Sequence, residues 1–283
     1  MSAKSKVAYV GNGPLAAALA ARLQSSYEVT TFGPGAAPSL AGFSVVVINL
    51  RSDAEVEALL FGARALADGL ARGTIVVDQS PGDPEEARRR ARVLQERGVS
   101  LVDAPVHCER IDTYPETAAL LCGGPSDAVN AVRDVLESLC PKVVHCGDNG
   151  SGRTCHLVVS AVAACNRLVT LECATIGLKN GLSLGDMATV LDASSGYNSA
   201  IARVLPALET AARTADVDLG SAVKELKLAV ELGKRSSAPM LVANVACATF
   251  EGAANVLGND ATIDAMSRVY EATAGVAFGA RAK

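Results

Sequence analysis

The stretch Lys6-Val7-Ala8-Tyr9-Val10-Gly11-Asn12-Gly13-Pro14-Leu15-Ala16 decides how this chain is read. A short apolar run, strand-like from Lys6 to Val10, ends on two glycines one residue apart. An alanine-rich segment that reads as helix then continues to about Ser25. In that context the glycine spacing suits a dinucleotide. Gly11 makes the tight turn, and Gly13 leaves the backbone open to a pyrophosphate. The helix from Leu15 turns its first N–H groups and positive dipole end toward the phosphates. Ala16 stands at the third glycine position, which the motif permits. Gly11, Asn12, Gly13, Pro14 and Leu15 are therefore cofactor-binding candidates, and so are Asn49, Leu50, Arg51 and Ser80 at the ends of later strands. The bland alternative is a structural glycine turn. Thr31-Phe32-Gly33-Pro34, where the second strand ends, has neither an acid for a ribose 2′-hydroxyl nor an arginine for a 2′-phosphate. The expected cofactor is thus NADP or NAD, with the choice open.

Outward from this loop, strands and helices alternate. Strands are expected at Tyr27–Phe32, Ser44–Leu50, Thr74–Asp78, Ser100–Ala104, Ala118–Cys122 and Lys142–Cys146. Helices are expected at Asp53–Ala71, Asp83–Arg97 and Ser126–Leu139. This order implies a mostly parallel sheet with helical crossovers. After Gly147 the strand signal ends. One long helical stretch, Gly152 to about Asn180, leads into Asp186–Ala193, Ser199–Ala212, Ser221–Arg235, Pro239–Leu257 and Ile263–Ala274. The expected fold class is α/β: an N-terminal Rossmann-type domain (1–149) with a mostly parallel sheet, followed by an all-α C-terminal domain (150–283) for substrate and dimerisation.

Composition agrees with a two-domain globular protein. The chain has 283 residues, 49% apolar and 20% charged, which argues against disorder or a coiled coil. Net charge is −4, with no basic stripe, so nucleic acid is not an expected partner. The dense run Arg88-Arg89-Arg90 with Arg92 follows Glu85-Glu86 and reads as one solvated helix face of charge pairs. No run of uncharged apolar residues reaches the length of a membrane span, and no signal-peptide pattern opens the chain, so no membrane association is expected. The 8 cysteines show no C-x-x-C spacing and most sit in apolar runs, pointing to a reduced, cytoplasmic protein. No metal site is expected: neighbours such as Cys155 and His156 diverge by about 100° on a helix.

Several segments, in order and spacing, resemble the β-hydroxyacid dehydrogenase superfamily, which includes 3-hydroxyisobutyrate and 6-phosphogluconate dehydrogenases. Gly11 to Leu23 is similar to that family's G-x-G-x-M-G opening. Val77-Asp78-Gln79-Ser80 resembles the strand ending D-x-S-T, and Asp103-Ala104-Pro105-Val106 the start of D-A-P-V-S-G-G, with Gly123-Gly124 downstream. Gly150-x-Gly152 resembles the opening of G-x-G-x-x-x-K-x-x-N-N. Ser194-Ser195-Gly196, Lys224-Glu225 in place of Lys-Asp, and Asp264 match landmarks of the helical domain. The resemblance implies an NAD(P)-dependent oxidoreductase, homodimeric, acting on a small-molecule substrate held between nicotinamide and helical domain.

The departures fall on the site itself. His156 stands where the family has its catalytic lysine, and Ser160 where it has an asparagine one turn later. His107, Cys108 and Glu109 replace the serine and paired glycines of D-A-P-V-S-G-G. An imidazole, with an ordinary pKa of about 6.5, gives or takes a proton near neutral pH. His156 is therefore the expected acid/base, Ser160 its orienting partner on the same helix face, and His107 a second acid/base or substrate donor facing it from the other domain. His145 is expected to be structural. Cys108, Glu109 and Lys224 are the substrate-binding candidates. Side-chain bulk and a negative charge in place of bare glycine N–H groups disfavour a carboxylate and shift weight toward a neutral, amino or iminium substrate. The leading expectation is hydride transfer between the nicotinamide and a small carbonyl/hydroxy compound. The alternatives are an imine reductase, a non-redox isomerase or cyclase, or a cofactor-binding protein on the same scaffold.

Overall fold

The computed structural model describes residues 6–33, 39–63, 65–108, 110–114 and 117–279. Two compact units meet in sequence between His156 and Leu157.

The first unit is built on strands β1 (Lys6–Gly11), β2 (Glu28–Phe32), β3 (Val45–Asn49), β4 (Ile75–Asp78), β5 (Ser100–Asp103), β6 (Val106–His107), β7 (Ala119–Gly123) and β8 (Val143–Gly147). Its sheet runs β2-β1-β3-β4-β5-β7-β6, with β8 also on β7. The pairings from β2 to β5 and that of β7 with β8 are parallel, whereas β7 is antiparallel to β5 and β6. The mostly parallel sheet is therefore as expected; the two-residue β6 carries no sequence signal of its own. Strand order reverses about β1, so a crevice opens where β1 and β3 end, the usual ligand position in such sheets. Helices α1 (Pro14–Gln24), α2 (Asp53–Phe61), α3 (Pro84–Glu96), α4 (Ser126–Ala131) and α5 (Arg133–Leu139) cover it. Alternate strand residues feed two cores: Val7, Tyr9, Val47 and Val77 pack with α1, α4 and α5 residues, and Ala8, Val10, Val46, Ile48 and Val76 with α2 and α3 residues.

Two expected helices are shorter than their sequence pattern. Asp53–Ala71 stops at Phe61 because Gly62 turns extended, and a 3-10 turn at Leu66–Gly69 follows a left-handed Ala65. Ser126–Leu139 breaks at Val132, whose backbone leaves the helical region. The arginine run also departs from a wholly solvated face. Arg88 and Arg89 pair with Glu85, Glu86 and Glu57 at the surface. Arg90 instead points inward and is fully buried against carboxylates on other elements. A helix carrying three consecutive arginines cannot turn all of them to one side, since successive side chains diverge by about 100°.

Helix α6 (Ser151–Lys179) crosses the division between the units: its start belongs to the first and the rest to the second. The boundary of compactness thus falls within this helix, later than the glycine-rich 147–152 segment. The second unit continues with α7 (Leu184–Asp192), α8 (Ser199–Thr210), α9 (Leu219–Arg235), α10 (Leu241–Leu257) and α11 (Met266–Ala274). Leu157, Ala161, Leu168, Leu171 and Ala174 of α6 enter its core beside Leu226, Phe250 and Met266. By length and composition α6 is apolar enough to cross a membrane, with an 18-residue window of mean hydropathy 1.5. This differs from the expectation drawn from uncharged runs, because alanine, cysteine and valine raise the mean even around Arg167 and Glu172. A core helix passes the same test.

Where α6 starts, backbone touches backbone. A Cβ on Gly152 would meet Asp103 O at 2.6 Å and Gly123 N at 2.8 Å, besides the Leu121 carbonyl. Gly152→Ala should therefore cost about 3 kcal/mol, by forced movement of rigid backbone. Gly69→Ala, with open space around it, should stay within about 0.5 kcal/mol. Urea denaturation midpoints compare the two; equal midpoints would exclude this close packing.

Candidate active site

At the end of β1 the backbone leaves the sheet through Gly11. A Cβ there would meet Asn49 O at 2.8 Å and the Tyr9 ring and Ala16 Cβ at 3.1 Å. Gly13 has φ +91°, a conformation costly to other residues, and caps α1 with no side chain. Pro14 opens the helix, so no side chain occupies the first-turn N–H groups that an anion would use. A cavity of about 400 Å³ adjoins the loop, lined by Tyr9, Gly11, Asn12, Gly13, Gln24 and Thr31 among others. These residues fit a dinucleotide: the loop is compact enough to approach a pyrophosphate, and its donors are unspent. The described wall of this cavity carries no charged side chain, in keeping with a cofactor choice left open between NAD and NADP.

Beneath the loop lies a buried polar contact that sequence reasoning missed. The Tyr9 hydroxyl donates to Gln79 Oε1 at 3.1 Å, and Asn49 Nδ2 lies 3.5 Å from the same oxygen. Burial pushes the Tyr9 phenol well up, so it remains a protonated donor. Among the other cofactor candidates, Ser80 is fully buried and its Oγ accepts from Leu50 N at 3.0 Å. Leu50 is buried as well, while Arg51 is exposed and its N–H donates to Glu55 at 3.3 Å. Ser80 and Leu50 thus tie β3 to β4 and do not line the cavity.

His107, on β6, and His156, in the second turn of α6, lie together. Their ring centroids are 6.2 Å apart and the planes meet at 66°. His156 retains 8% of its surface, while His107 is half-buried. Both histidines belong to the first unit, so His107 does not approach from a separate domain. Cys108, half-buried, donates through Sγ to Arg110 O at 3.2 Å. Glu109 lies outside the described residues. Ser160, one turn beyond His156 on α6, and Lys224, exposed on α9, belong to the second unit. His145 Nε2 sits 2.9 Å from the Gly124 carbonyl and 3.0 Å from that of Gly147, a backbone-holding place. Among the described residues no group of three or more His, Cys, Asp and Glu is set to hold a metal ion.

The start of α6 is held by a cluster of buried charges. Asp103 accepts from the N–H groups of Gly150 at 2.7 Å and Arg153 at 3.0 Å, capping the helix from the end of β5. Arg153 donates to Asp78 Oδ2 at 2.7 Å, Asp53 Oδ1 at 2.6 Å and Asp83 O at 3.2 Å. Arg90 reaches Asp53 and, at 3.4 Å, Asp78 from α3. Burial alone would push Asp53 up, but Arg153 and Arg90 hold it below the usual carboxylate range. Burial raises Asp103 to about 6, against the opposing pull of its two backbone donors. Local sequence carried no signal for this cluster: Arg90 sits in a charged run and Arg153 in a glycine-rich polar one.

The sequence profile of the NAD binding domain of 6-phosphogluconate dehydrogenase matches residues 7–147. That described as NAD-binding of NADP-dependent 3-hydroxyisobutyrate dehydrogenase matches 150–270. The chain is 27% identical over 241 residues to 2-(hydroxymethyl)glutarate dehydrogenase of Eubacterium barkeri, spanning 83% of this chain and 79% of that one. In fold it is similar to 3-hydroxyisobutyrate dehydrogenase of Mycobacterium tuberculosis, solved with L-serine (TM-score 0.83, 20% identity, 94% and 99% of the two chains). It is also similar to an imine reductase of Bacillus cereus (TM-score 0.60, 17% identity, 95% and 99%). With profiles of one enzyme group matching both halves in order, the chain belongs to the β-hydroxyacid dehydrogenase superfamily of NAD(P)-dependent oxidoreductases.

Proposed function

We propose that this NAD(P)-dependent dehydrogenase uses the His156 imidazole for the proton transfer that accompanies hydride transfer to or from a small carbonyl/hydroxy or imine compound. The observation that carries the reading is the pairing of His107 and His156, 6.2 Å apart; the sequence resemblance, which sets His156 at the lysine position of the superfamily motif, supports it. The loop from Gly11 to Leu15 would hold the pyrophosphate, with Tyr9 and Gln79 supporting it from below. A bound nicotinamide would supply or accept the hydride. The chain's own residues move the proton. During carbonyl reduction the substrate oxygen takes a proton from the His156 imidazolium, leaving neutral imidazole; oxidation reverses the transfer. His107 then serves as a second proton carrier or as a donor to the substrate. Near-burial of His156 keeps the exchange largely out of bulk water, in surroundings of lower dielectric where a single hydrogen bond counts for more.

The sequence puts a cysteine at 108 and an acid, Glu109, after it in place of paired glycines; the added bulk and negative charge favour a neutral or iminium substrate over a carboxylate, and on that ground imine reduction is the second reading. Purified protein mixed with NADH or NADPH and a panel of small carbonyls and imines tests both. His156→Ala should lower turnover about 100-fold or more with cofactor affinity kept within about twofold. Gly13→Val should weaken cofactor binding at least about tenfold, because φ +91° is closed to a β-branched residue. Undiminished turnover in His156→Ala would end the proposal, and cofactor binding without turnover on any compound would favour a non-redox role.

The second unit presents an apolar surface suited to a second copy of the chain. Val158, Val162, Val169 and Ile176 of α6 are between 44% and 64% exposed, and Leu241, Val242 and Val245 of α10 between 67% and 78%. The two stripes border one groove, lined by Ala161, Val162 and Cys165 on one side and Leu241 and Val242 on the other. Apolar side chains exposed together on two adjoining helices mark an interaction surface, and a self-complementary patch closes as a twofold dimer. Light scattering at micromolar concentration should give twice the chain mass, and Val242→Asp with Val245→Asp should halve it. A monomeric wild type would refute the pairing.

A further inference from the structure

We propose that Arg153 is a positioning residue, which sets the His156 imidazole in place by locking the first turns of α6 to the carboxyl ends of β4 and β5. The inference rests on the reading of His156 as the proton-transfer group and adds the means by which it is held. Arg153 and His156 are three residues apart, neighbours on one helix surface. Arg153 is 1% exposed, and its guanidinium binds carboxylates on β4 and on α2 together with the carbonyl of Asp83. Its own backbone N–H is in turn bound by Asp103 of β5. A planar fork with three separate anchors fixes both translation and rotation of the helix start, which a lone capping bond does not. The next residue able to carry a proton on that surface is His156. Arg90 shares Asp53 and Asp78 but comes from α3, and its ion pairs go to α2, β4 and its own helix, so it stabilises the cluster without anchoring the start of α6.

The cluster also gives the position a dependence on pH. Asp103 is faced by Arg153 from α6, Asp78 from β4, Cys122 from β7 and Cys146 from β8. It titrates at about 6 in the folded chain. Once protonated, one of its oxygens carries a hydrogen and caps less well, so the Gly150 and Arg153 N–H groups lose part of their hold.

The chain has 3 histidines, so ¹⁵N-resolved imidazole signals can be assigned with one His→Gln variant each. Arg153→Gln and Arg153→Lys should both move the His156 signals at a fixed pH, while those of His145 stay in place. Arg90→Lys should lower stability but leave the His156 signals in place. In the wild type the Gly150 and Arg153 amide signals should show an inflection near 6, absent from Asp103→Asn. Asp103→Asn also supplies the test if the Arg153 variants fail to fold, because it removes one capping acceptor and no bulk. Unmoved His156 signals in the Arg153 variants, or equal movement in Arg90→Lys, would overturn the positioning role. Since no turnover is needed, that failure is distinct from the failure of His156→Ala to lose activity.

Discussion

Two guanidinium groups, Arg90 and Arg153, lie in the interior of the first unit, and everything at the candidate site depends on what neutralises them. Asp53 and Asp78 do so through direct bonds, while Asp103 holds the backbone of the same helix turn. Two buried cations left without carboxylates would cost about 3–5 kcal/mol each, and Asp53 and Asp78, shared between the two arginines, remove that cost. Its members come from α2, α3, β4, β5 and α6, and the arrangement is therefore available only in the folded sheet. The glycine contact between Gly152, Gly123 and Asp103 brings the helix near enough for these bonds to form.

The same strand ends serve the cofactor loop. β1 and β3 open the crevice beside Gly11 and Gly13, and β4 ends at Asp78 and continues into Gln79-Ser80, where consecutive residues take different tasks. Asp78 turns to the arginines, Gln79 meets Tyr9 under the glycine loop, and Ser80 ties back to Leu50. Alternation of side chains along an extended strand allows one short segment to support both the cofactor loop and the helix bearing His156.

Much of the fold could be read from local pattern. Gly11 and Gly13 between an apolar strand and an alanine-rich helix announced their own conformation, and the run of strands and helices announced a parallel sheet. Less of the site was legible. His156 and His107 stood out because they replaced residues of a familiar motif, but their meeting is a matter of tertiary placement. Arg90 was hidden in a run that looked solvated, since charge pairing with Glu85 and Glu86 explains its neighbours equally well. Ser80 matched a motif position and turned out to serve the backbone. In each instance the missing information was which face of an element meets which partner, and no spacing along one element carries that.

A histidine and a lysine at one position differ in their proton chemistry in a way that can be measured. Ordinary histidine and lysine side chains differ by about four pH units in their pKa. The pH profile of kcat/KM for wild type and His156→Lys, recorded on one substrate, is the direct measurement. If His156 transfers the proton, the lysine variant retains activity and its inflection moves upward by more than about one pH unit. An inflection that stays where the wild type has it would show that another group carries the proton.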